Sequence, residues 1–265
     1  MQASINYGLR EDIAHAAERA SGMSFSVAGI IIICCTAFLT GISRTGLPGL
    51  GILLVSLVAM AMPVRESSGF LLPLLVEADL MSVLYFRRKA AWPHLFRVLP
   101  WTALGVVAGF LFMKVVSGSL YKPLLGAMIV IFVILDLARR WAGIEFRSGS
   151  RGIACAIGIF AGAFTMIANA AGPIMAVYLL SMDLPKEEFV GTSSVFFFII
   201  NLFKVPFSVA LGLITWQSLK VGLLLSPLIG LGVFAGIVFL KKIPQKVFYA
   251  IIQALAVLGG IKLLF

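Results

Sequence analysis

Histidine is nearly missing from this 265-residue chain: there are two, His15 and His94, and both lie outside the apolar runs. Haem ligation, zinc sites and histidine-based nucleophilic chemistry therefore have almost nothing to work with. The three cysteines, Cys34, Cys35 and Cys155, sit inside apolar runs and read as small hydrophobes, neither disulfides nor metal ligands. Charge is scarce too. Only 12% of residues are charged, about half the usual share of roughly 25%. What fills the chain instead is apolar: 61% hydrophobic residues, against roughly 45–50% in soluble domains. A soluble body of this size could not hide so much apolar surface. Lipid must solvate it. The net charge of +10 then reads as loop bias, and no nucleic-acid partner is expected.

Residues 1–22 differ from the rest, carrying Arg10, Glu11, Asp12, Glu18 and Arg19 ahead of the first apolar run. They lack the basic start, short core and exit of a signal peptide. The tail is read as interfacial or disordered, or as an over-long start with Met23 as initiator. From Phe25 about ten apolar stretches follow: 25–43, 49–62, 67–86, 95–115, 120–138, 152–168, 172–183, 189–212, 218–240 and 244–264. Several reach the ~20 residues needed to cross about 30 Å of hydrocarbon. The second and seventh do not, and read as short helices or halves of re-entrant hairpins. The expected fold is an all-α polytopic membrane protein.

Three loops are strongly basic: Arg87-Arg88-Lys89 with Arg97, Arg139-Arg140 with Arg147 and Arg151, and Lys241-Lys242 with Lys246. Even numbers of spans separate them, so all three fall on one side, assigned to the cytoplasm. Both termini then lie outside it.

The chain also repeats. Pro63 to Gly69 matches Pro185 to Gly191, Trp92 matches Trp216, and Gly105-x-x-x-Gly109 matches Gly232-x-x-x-Gly236. An odd number of spans per unit inverts the second copy, the architecture of secondary transporters with a site near mid-membrane. The expected division is a tail at 1–22, a first repeat at 23–140, a basic linker at 141–151 and a second repeat at 152–265.

In such folds, Gly/Pro-broken segments at matching places point to the site. Here they are Gly41 to Gly51 and Ala168 to Pro173. Their freed backbone groups, with Thr45, Gly46, Asn169 and Gly172 among them, can face an anion at a helix N-terminus, or else form a plain extramembrane turn. Pro48 and Pro173 suit the first turn of a restarting helix. Arg44 lies inside the first break, where its planar fork suits sulfonate, sulfate or carboxylate oxygens; snorkelling to the interface is the alternative.

The span 189–212 carries a polar stripe: Ser194, Asn201, Lys204 and Ser208 share one helical face. A lysine in mid-span is costly in lipid and marks function by default. Thr192, Ser193 and Ser194 suit capping or a cavity mouth. Glu77 and Asp79 supply acid on the third span, but two residues apart they cannot both face one small pocket. The repeat offset sets Asp79 and Ser82 opposite Asn201 and Lys204. An Asp79–Lys204 pair is expected, either structural or a proton-linked lock. Phe196, Phe197, Phe198 and Phe203 read as packing or lipid contact, and the two Gly-x-x-x-Gly pairs as close helix approaches.

Together, Thr40 to Gly51, Pro73 to Asp79, Trp92 to Leu95, Ala168 to Tyr178, Phe189 to Thr192 and Phe197 to Phe207 make the chain resemble the TauE/SafE family, the sulfite/sulfonate exporters also called toluene-sulfonate uptake permeases. The glycine runs in both broken segments are sparser here than is common in that family. The resemblance covers essentially residues 25–265 and implies a multi-pass carrier in a bacterial inner membrane for small sulfur-containing or related organic anions. The expected function is secondary transport of such an anion, as export. The alternatives are proton-coupled uptake of a small organic anion and a non-transport membrane scaffold, against which Lys204 speaks. An intramembrane enzyme is not expected: there is no H-E-x-x-H, no Ser–His constellation, and the repeat partner of Asp79 is Asn201. No cofactor and no metal are expected. The substrate candidates are Arg44, Thr45, Gly46, Asn169, Gly172, Thr192, Ser194, Asn201 and Lys204. Asp79, Glu77 and Ser82 are candidates for proton transfer or gating. The expected partners are the anion, the bilayer and protons as candidate co-substrate, with a homo-oligomer left open.

Overall fold

A computed structural model describes residues 27–48, 50–60, 64–115 and 151–262. The tail at 1–22, Met23, the apolar stretch 120–138 and most of the basic linker lie outside the described residues. Every regular element among the described residues is helical. They are α1 (Val27–Thr45), α2 (Gly51–Ala59), α3 (Val64–Phe86), α4 (Trp92–Val115), α5 (Arg151–Ala168), α6 (Gly172–Leu180), α7 (Lys186–Ala210), α8 (Trp216–Lys242) and α9 (Gln245–Lys262), with a short 3₁₀ turn at Arg87–Lys89. Helices α1, α3, α4, α7 and α8 are long and apolar enough to cross a membrane. The chain is a membrane protein by that measure. Helices α2 and α6 have nine residues each, about 14 Å at 1.5 Å per residue, which is half the hydrocarbon depth.

Local chemistry explains the ends. Thr215 and Ser218 form a reciprocal capping box that starts α8. Helix α7 opens after Pro185 with Glu187 and Glu188 in its first turn, where acids meet the positive end of the helix dipole. Pro173 sits in the first turn of α6 as expected. Pro48 does not do the same for α2, because the helix restarts later, after Leu50.

Two crossings use the glycine pairs. Helix α1 packs along α8 through Gly41 and Gly232, where a methyl on Gly41 would strike the Ile229 carbonyl oxygen and one on Gly232 that of Phe38. Further along, a methyl on Gly46 would lie 2.9 Å from the Gly236 Cα. Residue numbers rise together on both helices, so α1 and α8 run parallel. Helices α4 and α5 cross likewise: Gly105 abuts Ile159, Gly162 abuts Thr102, and Gly109 abuts Ala163 and Met166. They are parallel too. Without side chains at these points the backbones approach to direct contact, where dispersion and weak polar contacts replace the hydrophobic drive that lipid does not supply.

Helices α3 and α7 are antiparallel at the centre, since Asp79 meets Asn201 while Ser82 meets Ser194. The turn after α3 therefore lies beside the start of α7. Lys89 pairs with Glu187 at 3.3 Å, and Lys186 Nζ donates to the Leu240 and Ile243 carbonyls closing α8, at 2.7 and 2.6 Å. Lys241 lies 5.4 Å from the Tyr85 ring centroid. Two of the three basic loops thus share one end of the bundle; Arg139, Arg140 and Arg147 lie outside the described residues.

A side chain forced into a crossing must push two backbones apart. Gly232→Val and Gly105→Val are each expected to cost about 1–3 kcal/mol or more by overpacking. Gly230→Ala, whose methyl would find only the Met81 sulfur at 3.9 Å, is the control. Thermal unfolding in detergent checks this: equal melting temperatures for all three variants would refute the tight crossings.

Candidate functional site

The two helix interruptions meet at the centre. Helix α1 ends as Gly46 and Leu47 both donate to the Ile42 carbonyl, at 2.7 and 3.2 Å. Helix α5 ends at Asn169, which takes a left-handed conformation (φ 52°) that asparagine tolerates better than most residues. The Asn169 carbonyl oxygen lies 3.6 Å from where a Cβ on Gly51 would stand. So the start of α2 touches the end of α5.

Around this junction lies a narrow cleft of about 10 Å³, room for about one water. It is lined by Ser43, Arg44, Pro48, Gly51, Leu75, Thr165, Asn169, Gly172, Ser193, Phe197 and Asn201. Gly51 and Gly172 open α2 and α6. The first N–H groups of a helix have no intrahelical acceptor and are free for an anion. Among the described residues, Arg44 is the only charged side chain on the lining.

Behind the lining runs a continuous polar chain. Arg44 Nε lies 3.1 Å from Asp79 Oδ1, an ion pair too bent to count as a hydrogen bond. The other carboxylate oxygen accepts from Asn201 Nδ2 at 2.7 Å. Asn201 Oδ1 in turn accepts from Lys204 Nζ at 3.2 Å. The ammonium also donates to Asn169 Oδ1 at 2.6 Å and to Thr165 Oγ1 at 3.1 Å. Asn169 Nδ2 reaches back to α3, donating to the Ser68 carbonyl and hydroxyl at 3.0 and 3.1 Å. Asp79 is fully buried, and Lys204 is 1% exposed. A charge at that depth is tolerable only when it is paired and hydrogen-bonded. Asp79 has both, while Lys204 has the hydrogen bonds and stands one amide away from the carboxylate.

The Arg44 backbone is held as well. Its carbonyl, left over at the end of α1, faces the Ser82 and Ser194 hydroxyls at 3.0 and 3.2 Å, and these lie 2.6 Å from each other. Its guanidinium carbon sits 4.5 Å above the centre of the Phe197 ring, a cation–π contact.

Several expectations change here. Asp79 pairs with Arg44 in place of Lys204, because Asn201 stands between the carboxylate and the ammonium and bonds to both. Phe197 is more than packing or lipid contact, since it floors the Arg44 guanidinium. The stripe on α7 is buried throughout: Ser194, Asn201, Lys204 and Ser208 are all at most 3% exposed.

Of the substrate candidates, Arg44, Asn169, Gly172 and Asn201 line the cleft, and Lys204 lies one layer behind two of them. Thr45 turns to α8, donating to the Gly41 and Val233 carbonyls, and Gly46 packs on Gly236. Thr192 accepts from the Ala91 N–H at the start of α4 and donates to Glu188. Ser194 and Ser82 hold the Arg44 carbonyl. Glu77 is half-buried and forms no hydrogen bond or ion pair with the described residues; its angle from Asp79 turns it away from the network. Thr165, Ser68 and Ser43 were not anticipated; the one signal for Thr165 is its place four residues before Asn169.

Asn201 joins the two halves of the chain, so its loss should cost more than the loss of a single hydroxyl. Asn201→Ala removes two charge-assisted hydrogen bonds, each about 1.5–3 kcal/mol, whereas Ser82→Ala removes two neutral ones of about 1 kcal/mol each. Thermal unfolding in detergent should rank Asn201→Ala clearly below Ser82→Ala; the reverse order would contradict the relay.

Comparison with known proteins adds one positive finding. Residues 31–263, nearly the whole chain, match the model of the family described as Sulfite exporter TauE/SafE. No curated protein and no solved structure matches. With the apolar helices, the central cleft and this match in place, the chain belongs to the TauE/SafE sulfite exporter family, a family of membrane transporters.

Proposed function

We propose that the protein moves small sulfur-containing anions, of the sulfonate or sulfite type, outward across a bacterial inner membrane. The observation that carries this reading is the cleft: an arginine fork and two helix N-termini converge there, with Lys204 one layer behind. Such a surface offers planar hydrogen-bond donors and positive potential, with no competing carboxylate on its wall among the described residues. The family match supports the same substrate class.

The architecture proposed around the cleft is a pair of inverted repeats, 23–140 and 152–265. Helices α1 to α4 would correspond to α5 to α8, and the stretch 120–138 to α9. The contacts support this reading. Crossing α1 with α8 and α4 with α5 exchanges partners between halves in the same way, both in parallel, while the corresponding helices α3 and α7 are antiparallel. Helices α2 and α6 would return from mid-depth as re-entrant halves, entering from opposite faces. The shared basic end would be cytoplasmic, placing both termini outside.

Export fits the electrical term. A monoanion leaving a cell with a negative interior gains about 2.3 kcal/mol per 100 mV, so no coupling ion is required. The Arg44–Asp79 pair favours one second reading, proton-coupled uptake. An anion that drew Arg44 away would leave the carboxylate to take a proton. Glu77, outside the network, is not assigned that role.

Flux from proteoliposomes tests both readings. Sulfite or methanesulfonate should move with the wild-type protein, and Arg44→Ala or Lys204→Ala should reduce it to background while the protein still inserts. Normal rates in both variants would sink the cleft as the substrate site. Asp79→Asn should leave electrically driven efflux unchanged in its pH response; loss of that response would favour the proton-coupled reading instead.

A further inference from the structure

We infer that Ser43 and Ser193 are the substrate-contacting residues that tell a sulfonate from a carboxylate: their hydroxyls take the third oxygen of the sulfur head group, which a carboxylate lacks. This rests on the cleft being the substrate site, and it names the part of that site that sets the class of head group.

A hydroxyl inside a helix has a ready acceptor, the carbonyl four residues earlier. On α1, Thr36, Thr40 and Thr45 each donate to it, and on α7 Thr192 and Ser194 do the same. Ser43 and Ser193 stand on those same two helices, yet form no hydrogen bond with the described residues. Both are nearly buried, at 3% and 4% exposure. Both line the cleft. The other hydroxyl on the lining, that of Thr165, is already committed to Lys204. A buried hydroxyl without a partner is costly, and the cleft is where these two can meet one.

Arg44 explains why hydroxyls are needed. Its Nε faces Asp79 at 3.1 Å, and the Phe197 ring covers one face of the guanidinium at 4.5 Å. What remains for an anion is the outer edge of the fork, where two parallel donors lie in one plane. Two oxygens satisfy that edge, and a carboxylate has no more. The head group of a sulfonate or a sulfite is a pyramid of three oxygens, so the third stands out of the plane and needs a donor from another direction. Ser43 comes from the last turn of α1, beside Arg44, and Ser193 from α7 in the other half of the chain. Each O–H can rotate to suit its acceptor. Room for about one water is room for one such oxygen, so seating the whole head group widens the cleft.

Methanesulfonate and acetate isolate the third oxygen, because each carries one methyl group and one charge. Purified protein in detergent is titrated with each at neutral pH and constant ionic strength, by calorimetry. The wild type should bind methanesulfonate at least about tenfold more tightly than acetate, the scale of one added hydrogen bond to a charged group. Ser43→Ala and Ser193→Ala should each weaken methanesulfonate by about tenfold and leave acetate within about twofold. Equal binding of the two anions by the wild type overturns the inference, whether or not a variant folds. A selective wild type whose ratio neither alanine variant moves overturns the assignment to these hydroxyls. So does an acetate loss as large as the methanesulfonate loss, the mark of a structural role. If neither anion binds, the cleft itself fails as the substrate site, a different result from failed selectivity.

Discussion

Everything at the centre of this protein depends on an ammonium that cannot reach water. Lys204 sits in the middle of a long apolar helix at 1% exposure, where an unpartnered charge would cost several kcal/mol. Its three acceptors come from α5, from the break after α5 and from α7 itself. Satisfying Lys204 therefore fixes the end of one helix against the middle of another. Asn201 carries the same constraint across to Asp79, and Asp79 carries it to Arg44 in the other break. One buried charge thereby ties both interruptions to the two central helices.

The rest of the bundle brings those interruptions together. Glycine crossings at Gly41–Gly232 and Gly105–Gly162 let α1 and α8, and α4 and α5, approach at backbone distance. Each of those pairs joins a helix that ends in a break to a long spanning helix from the other half. The breaks then meet at Gly51 and Asn169, and free helix ends that lipid would not tolerate face a polar cleft instead. The packing and the site are one arrangement: the short helices α2 and α6 start where the chain restarts after α1 and α5.

Much of this was legible in the sequence, and the limits have physical causes. A lysine on a stripe with Asn201 and Ser194 announces a buried polar face, because no other reading of a mid-span cation is cheap. Broken Gly/Pro segments at matching places announced where the helices stop. Which cation would take Asp79 was not legible. That choice depends on the path of the chain through the first break, which turns Arg44 inward over Phe197, and no periodicity encodes such a path. Hydroxyls were equally opaque. Thr36, Thr40 and Thr102 each bond the carbonyl four residues earlier in their own helix, while Thr165 reaches Lys204. In the sequence all four are threonines in apolar runs. The family resemblance, drawn from the broken segments and the α7 stripe, agrees with the match over residues 31–263.

The most direct test asks whether water and anion share the space beside Arg44. Ser193, on the cleft wall but outside the charged chain, can be replaced by cysteine in a protein whose Cys34, Cys35 and Cys155 are first changed to alanine. A water-soluble thiol reagent should modify Ser193→Cys in membranes, and methanesulfonate at saturating concentration should slow that reaction, whereas an inert salt at equal ionic strength should not. A cysteine that never reacts, or one that reacts equally fast with and without the sulfonate, would mean that the buried positive centre is a structural brace and holds no substrate.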